Sequence, residues 1–414
     1  MKNFPWTSIA AGFVTVLVGI TSSAVIVLQA ASAAGATPEQ ISSWMLALGA
    51  GMGVTCIGLS LRYRAPVVTA WSTPGAALLV TSLAGIPMGE AIGAFMFAAA
   101  LITLCGVTGW FERAMGRIPV SIAAAMLAGI LANFGMSVFV AMKSQFVLVF
   151  AMFAAYLLCK RWLPRYAIIV VLAIGMALAV QGDLLRFENF HFAWATPVFT
   201  MPSLSWTALI GVGIPLFVVT MASQNAPGVA VLRASGYRIP ISPLISWTGL
   251  TTLLLAPFGC FSINLAAITA AICMGREAHE DPAKRYWAAV AAGVFYLVVG
   301  LLGATVGALF AALPKELVLA IAGLALFGTI GSSLTAAMAN DEQREAALIT
   351  FLVTASGVTL FGVGAAFWGL VAGALAHFVL HWKRGAAENL SPAPGSAAPP
   401  SSVPSTPVLP PHRN

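Results

Sequence analysis

The sequence predicts an all-α polytopic membrane protein, with about fourteen transmembrane segments in two seven-span repeats of opposite orientation. Three observations carry that expectation. First, 60% of the 414 residues are hydrophobic and 8% are charged, with a mean hydropathy of +0.94. A soluble domain carries about 25% charged residues. Second, apolar runs long enough to cross a bilayer recur along the chain, with basic residues in alternate gaps. Third, the two halves echo one another. Trp6-Thr7 and Trp206-Thr207 each open an apolar run, as do Ile118-Pro119 and Leu313-Pro314.

Taken in order, the expected spans of the first half fall at about 7–31, 38–60, 65–83, 88–108, 119–137, 140–159 and 165–182. Those of the second half fall at about 206–226, 242–257, 258–275, 284–312, 314–335, 344–360 and 362–382. Near the N-terminus a single Lys2 precedes a long apolar run without a convincing signal-peptidase site, so this run is read as a retained first span. No polar loop separates the runs that meet at Pro257 and at Phe361, which leaves twelve or thirteen spans open. Residues 1–182 form the first repeat, 183–205 an extracytoplasmic connector and 206–384 the second repeat. The Pro/Ser/Ala-rich segment 385–414 cannot bury a core and is read as a disordered cytoplasmic tail.

Charge supports this division. With the N-terminus in the cytoplasm, 17 of the 20 basic residues fall on the cytoplasmic side, and Lys143, Arg186 and Lys315 fall outside. That asymmetry fits an even number of spans with both termini cytoplasmic. Trp6, Trp44, Trp110, Trp162, Trp206, Trp247, Trp287 and Trp382 stand near span ends, where interfacial aromatics gather. The formal charge of +7 is spread singly over loops, which excludes a nucleic-acid footprint. The five cysteines lie singly in apolar segments, with no metal-ligand or disulfide spacing. No cofactor is expected.

Two halves with an odd number of spans must be inverted, and inverted-repeat carriers place their sites on broken helices near the bilayer midplane. Two short segments are interrupted at matching places. The third reads Ala70-Trp71-Ser72-Thr73-Pro74-Gly75, and the tenth reads Pro257-Phe258-Gly259-Cys260-Phe261-Ser262-Ile263-Asn264. Half-helices starting at Thr73 and at Ser262 would point free amides and positive dipole ends at the midplane, attracting an anion without a buried Arg. The eighth span holds a polar break of its own, Ser223-Gln224-Asn225 before Pro227-Gly228.

These three motifs, with Val231-Leu232-Arg233-Ala234, resemble the benzoate:proton symporter family over roughly residues 5–384. The chain is more distantly similar to uracil permease and the nucleobase–ascorbate transporters. The resemblance implies a uracil-permease-like fold, with a core domain from spans 1–4 and 8–11 and a gate domain from spans 5–7 and 12–14. It implies short extended pieces in spans three and ten, proton-coupled uptake across the bacterial inner membrane, and a homodimer. Nucleobase carriers keep an acid on the eighth span and often on the tenth. Here amides and hydroxyls stand instead, which suits an aromatic carboxylate better than a pyrimidine.

The candidate substrate-binding residues are therefore Trp71, Ser72, Thr73, Ser223, Gln224, Asn225, Phe261, Ser262 and Asn264. Trp71 and Phe261 would stack on a ring, or simply pack. The hydroxyls would donate to a carboxylate, or bond back to their own helices. Gln224 and Asn225 would line the site, or hold the broken helices together. For the proton, Glu90 is the candidate, with Glu112, Asp341 and His377 behind it. All but His377 have an ordinary reading as span-end acids, and His377 as an interfacial residue; substrate and proton could also travel together. A nucleobase or other organic-anion carrier is the alternative, and a channel fits the inverted breaks less well. An intramembrane enzyme would need a nucleophile–base pair or a metal motif, and the five His stand at span ends, in loops or in the tail.

Overall fold

The computed structural model describes residues 6–110, 120–162, 167–185, 192–276, 278–361 and 365–381. Glu112 and the tail lie outside them. Helices α1 (Trp6–Ala33), α2 (Pro38–Tyr63), α3 (Thr73–Ser82), α4 (Met88–Val107), α5 (Val120–Ala141), α6 (Phe146–Trp162) and α7 (Ala167–Gln181) make the first half. The second half holds α8 (Trp206–Arg233), α9 (Ile241–Leu255), α10 (Ile268–Met274), α11 (Tyr286–Leu301), α12 (Gly303–Ala312), α13 (Lys315–Met338), α14 (Arg344–Ala355) and α15 (Ala365–His381). Strand β1 (Thr69–Trp71) precedes α3, and β2 (Ile263–Leu265) precedes α10.

The chain is thus mostly helical and polytopic. Among the described residues, seven helices are long and apolar enough to cross a membrane, eight when the two segments of α1 count as one span. Local chemistry sets their ends. Before α2, Thr37 accepts from Gln40 N (3.3 Å) while Gln40 Oε1 accepts from Thr37 N (2.9 Å), with Pro38 at the first helical position. Packing relies on small residues. A Cβ on Gly49 would lie 2.7 Å from Tyr296 O, so α2 and α11 meet backbone to backbone.

Three expectations are corrected. The second half-helix does not start at Ser262, because residues 263–265 extend as β2 and α10 begins at Ile268. The span expected at 284–312 divides at Leu302 into α11 and α12. The eighth segment runs on to Arg233, because Pro227 widens the helix instead of ending it.

Residues 192–205 form a strap without helix or strand. Its backbone is pinned at four helix ends. Ala195 N donates to Leu301 O (2.8 Å), Val198 N to Ser43 Oγ (2.9 Å), Thr200 N to Pro257 O (2.8 Å) and Ser203 N to Gly89 O (2.9 Å). The strap therefore joins the ends of α11, α2, α9 and α4.

Candidate functional site

The site begins where two chain segments refuse to be helical. β1 and β2 pair antiparallel, with Thr69 opposite Leu265, Ala70 opposite Asn264 and Trp71 opposite Ile263. Backbone left without a helix inside an apolar protein needs partners. Side chains of the flanking helices supply them. Thr69 Oγ1 lies 2.6 Å from Thr55 Oγ1, and Thr69 N donates to Cys56 Sγ (3.1 Å), tying β1 to α2. Ile263 N donates to Thr252 Oγ1 (2.9 Å), tying β2 to α9.

The third component is a bulge in α8. Pro227 has no N–H, and its ring crowds the carbonyl one turn earlier. The helix answers with a wider turn over Met221–Asn225, where Ala226 N reaches back to Met221 O. This turn carries Ser223, Gln224 and Asn225. Asn225 is fully buried, and its Oδ1 accepts from Leu265 N (2.9 Å) while its Nδ2 donates to Met221 Sδ (3.2 Å). A Cβ on Gly228 would lie 2.7 Å from Leu265 Cβ, so the glycine lets α8 press against β2. Helix α5 lies against both α3 and the widened turn, forming a further wall.

The expected residues sort into three groups. Asn225 and Asn264 are pins. With the Asn264 amide oriented to satisfy both its ends, its oxygen accepts from Ser72 N (3.0 Å) and its nitrogen donates to Leu265 O (3.1 Å). The aromatic candidates are anchored. Trp71 is 4% exposed, and its Nε1 donates to Ser23 Oγ (2.8 Å). Phe261 is fully buried, its ring 6.3 Å from those of Trp44 and Phe95, in a packing cluster. Ser223 bonds back to Val219 O. The hydroxyls of Ser72 and Ser262 converge on Thr220 of α8, at 3.4 and 3.1 Å.

What stays open is Thr73 and Gln224. Both are half-buried, and neither side chain has a hydrogen-bond partner among the described residues. In the first turn of α3, Ser72 Oγ caps Gly75 N (3.0 Å), Ala76 N donates to Ser72 O (2.8 Å) and Pro74 lacks an N–H. Thr73 N–H alone in that turn finds no protein partner among the described residues. A free amide at a helix start, beside a free hydroxyl, is suited to an anion. Among the described residues no charged side chain shares the site. Arg285 is the one buried charged residue described, and it caps α10 through Met274 O (2.8 Å) and His279 O (2.8 Å).

Glu90 is apart from this cluster. It is half-buried in the first turn of α4, with the whole of α3, about 15 Å, between Ser72 and the turn that leads to it. Asp341 is exposed and paired with Arg344. His377 lies on α15. Among the described residues no group of three His, Cys, Asp or Glu could hold a metal.

Sequence reasoning left Thr220, Ser23 and Thr252 out of the site. Thr220 carried a signal, since it stands four residues before Gln224, on the same helix face. Thr252 carried none, being one of five hydroxyl residues along α9 with nothing to single it out.

The family of benzoate membrane transport proteins matches residues 2–379 of this chain. Inner membrane protein YdcO of Escherichia coli (strain K12) is 51% identical over 380 residues, covering 92% of this chain and 97% of that protein. A benzoate membrane transport protein of Acinetobacter baylyi is 44% identical over 379 residues, covering 92% and 96%. Among solved structures, SLC26A9 superposes with a TM-score of 0.62 at 12% identity, over 91% of this chain and 66% of that one. The transmembrane domain of the cyanobacterial bicarbonate transporter BicA gives 0.56 at 12% identity, over 91% and 96%. At that identity the likeness is one of fold.

Proposed function

The chain belongs to the benzoate membrane transport protein family, and from that premise we propose that it imports benzoate or a similar small aromatic carboxylate. In this reading the carrier sits in the inner membrane, works by alternating access, couples uptake to protons and acts as a homodimer. The observation that carries the substrate class is the start of α3. There, among the described residues, a free Thr73 amide and hydroxyl stand in a site with no carboxylate to repel an anion and no Arg or Lys to clamp one.

The proposed architecture is fourteen spans in two inverted repeats, with core and gate domains divided as the resemblance implies. Its support is the antiparallel pairing of β1 with β2, each leading into a short helix at a matching place in its half. The engaged amides of Asn225 and Asn264 are read as holding the breaks in register. Thr73, Gln224 and Ser72 are read as the groups that meet substrate, with Ser223 and Ser262 beside them. Trp71 and Phe261 shape the apolar part from behind.

Purified protein tests this directly. Benzoate should raise its melting temperature more than nucleobases do. In proteoliposomes, uptake should saturate and follow an imposed proton gradient. Stabilisation by nucleobases alone would overturn the substrate class, and flux that neither saturates nor responds to the gradient would overturn the carrier. Glu90→Gln tests the first proton candidate. Lost accumulation with retained binding assigns Glu90, and unchanged accumulation removes it from the candidates.

A further inference from the structure

We infer that Thr220 is a positioning residue, which sets the direction of a three-hydroxyl relay and so makes the Ser72 hydroxyl an obligate donor toward a carboxylate. The inference rests on the proposed function and deepens it. Thr220, Ser72 and Ser262 come from α8, the β1–α3 junction and the entry to β2, and are 0%, 0% and 1% exposed. Each hydroxyl has one proton and two lone pairs. Thr220 Oγ1 donates to Ser72 Oγ (3.4 Å). In the 3.1 Å contact with Ser262 Oγ either hydroxyl could donate, and with the Thr220 proton given to Ser72 the serine takes the donor role.

The relay therefore runs Ser262 to Thr220 to Ser72. Ser72 Oγ already accepts from Gly75 N (3.0 Å) as well as from Thr220. Both its lone pairs are occupied, and its own proton has no acceptor among the described residues. That hydroxyl can only donate. It is covalently next to Thr73, whose amide and hydroxyl are also without partners among the described residues. The three donors suit a carboxylate, whose oxygens only accept. A carboxamide keeps only one acceptor oxygen, and its NH2 would face donors it cannot bond. Thr220 thus selects for charge without touching the substrate, and no charged side chain is needed.

The test compares benzoate with benzamide, its neutral isostere, by titration calorimetry on detergent-purified wild type, Thr220→Val and Thr220→Ser. Hydrogen bonds to charged groups are worth enough that Thr220→Val should weaken benzoate about tenfold, with benzamide changed less than about twofold on the same grounds. Thr220→Ser, which keeps the hydroxyl, should restore benzoate affinity. Thr220→Ala gives a second hydroxyl deletion if the valine variant is lost in extraction. Unchanged benzoate affinity in the deletions, equal losses for both ligands, or a serine variant as weak as valine would overturn the relay. Wild type that binds no benzoate would overturn the parent reading and the relay with it.

Discussion

Asn225 and Gln224 are neighbours of the same polar class, yet the fold uses them oppositely. Asn225 accepts from a strand amide with no other partner among the described residues, so Asn225→Ala leaves Leu265 N–H buried and unpaired. That should cost about 1–3 kcal/mol, read as a lower melting temperature of the unliganded protein. Asn264→Ala should behave alike, since its amide bridges Ser72 N and Leu265 O. Gln224→Ala and Thr73→Val remove side chains with no hydrogen-bond partner among the described residues. They should leave the unliganded melting temperature nearly unchanged and shrink the shift that benzoate produces. The polar run before Pro227 was legible in the sequence, because amides in an apolar helix need a reason to be there. Which amide is engaged was not legible. That depends on a strand forty residues away, whose register no local pattern encodes.

At the scale of elements, the breaks were legible where Pro and Gly wrote them. Ser72 caps α3 at the position its hydroxyl and the following Pro74 suggest. The second break misled for a physical reason. Ser262 looked like a helix start, but its hydroxyl is drawn into contact with Thr220, and the chain stays extended until Ile268. Gly259 makes this detour feasible. Its φ of +98° lies in the left-handed region, and a Cβ there would overlap the Trp44 ring. Gly259→Ala should therefore lower stability by about 2–4 kcal/mol, strain and overpacking together. The strap was read as a plain connector, since its backbone bonds leave no trace in composition. A Cβ on Gly93 would run into Ser203 O. Gly93→Val should free the strap near α4, which limited proteolysis around residues 200–205 would detect as faster cleavage than in wild type.

For the whole molecule, composition alone gave the solvent, and the charge pattern gave a handed expectation about how the chain threads it. Among the described residues, length and apolarity of single helices yield seven or eight crossings, and segments such as α3, α10 and α12 are too short to count in a test made one helix at a time. The placement of basic residues works across such segments, since it depends on parity and not on helix length. It makes a prediction independent of the site. A fluorescent reporter fused after Arg384 should fold in the cytoplasm, and a periplasm-active phosphatase fused there should be silent. Single cysteines replacing Lys143 and Lys315 should react with a membrane-impermeant maleimide added to whole cells, whereas one replacing Arg64 should react only after lysis. If Lys143 and Lys315 gave opposite results, an odd number of crossings would separate α5 from α13. The two repeats would then no longer be inverted, and the antiparallel strand pair would need another origin.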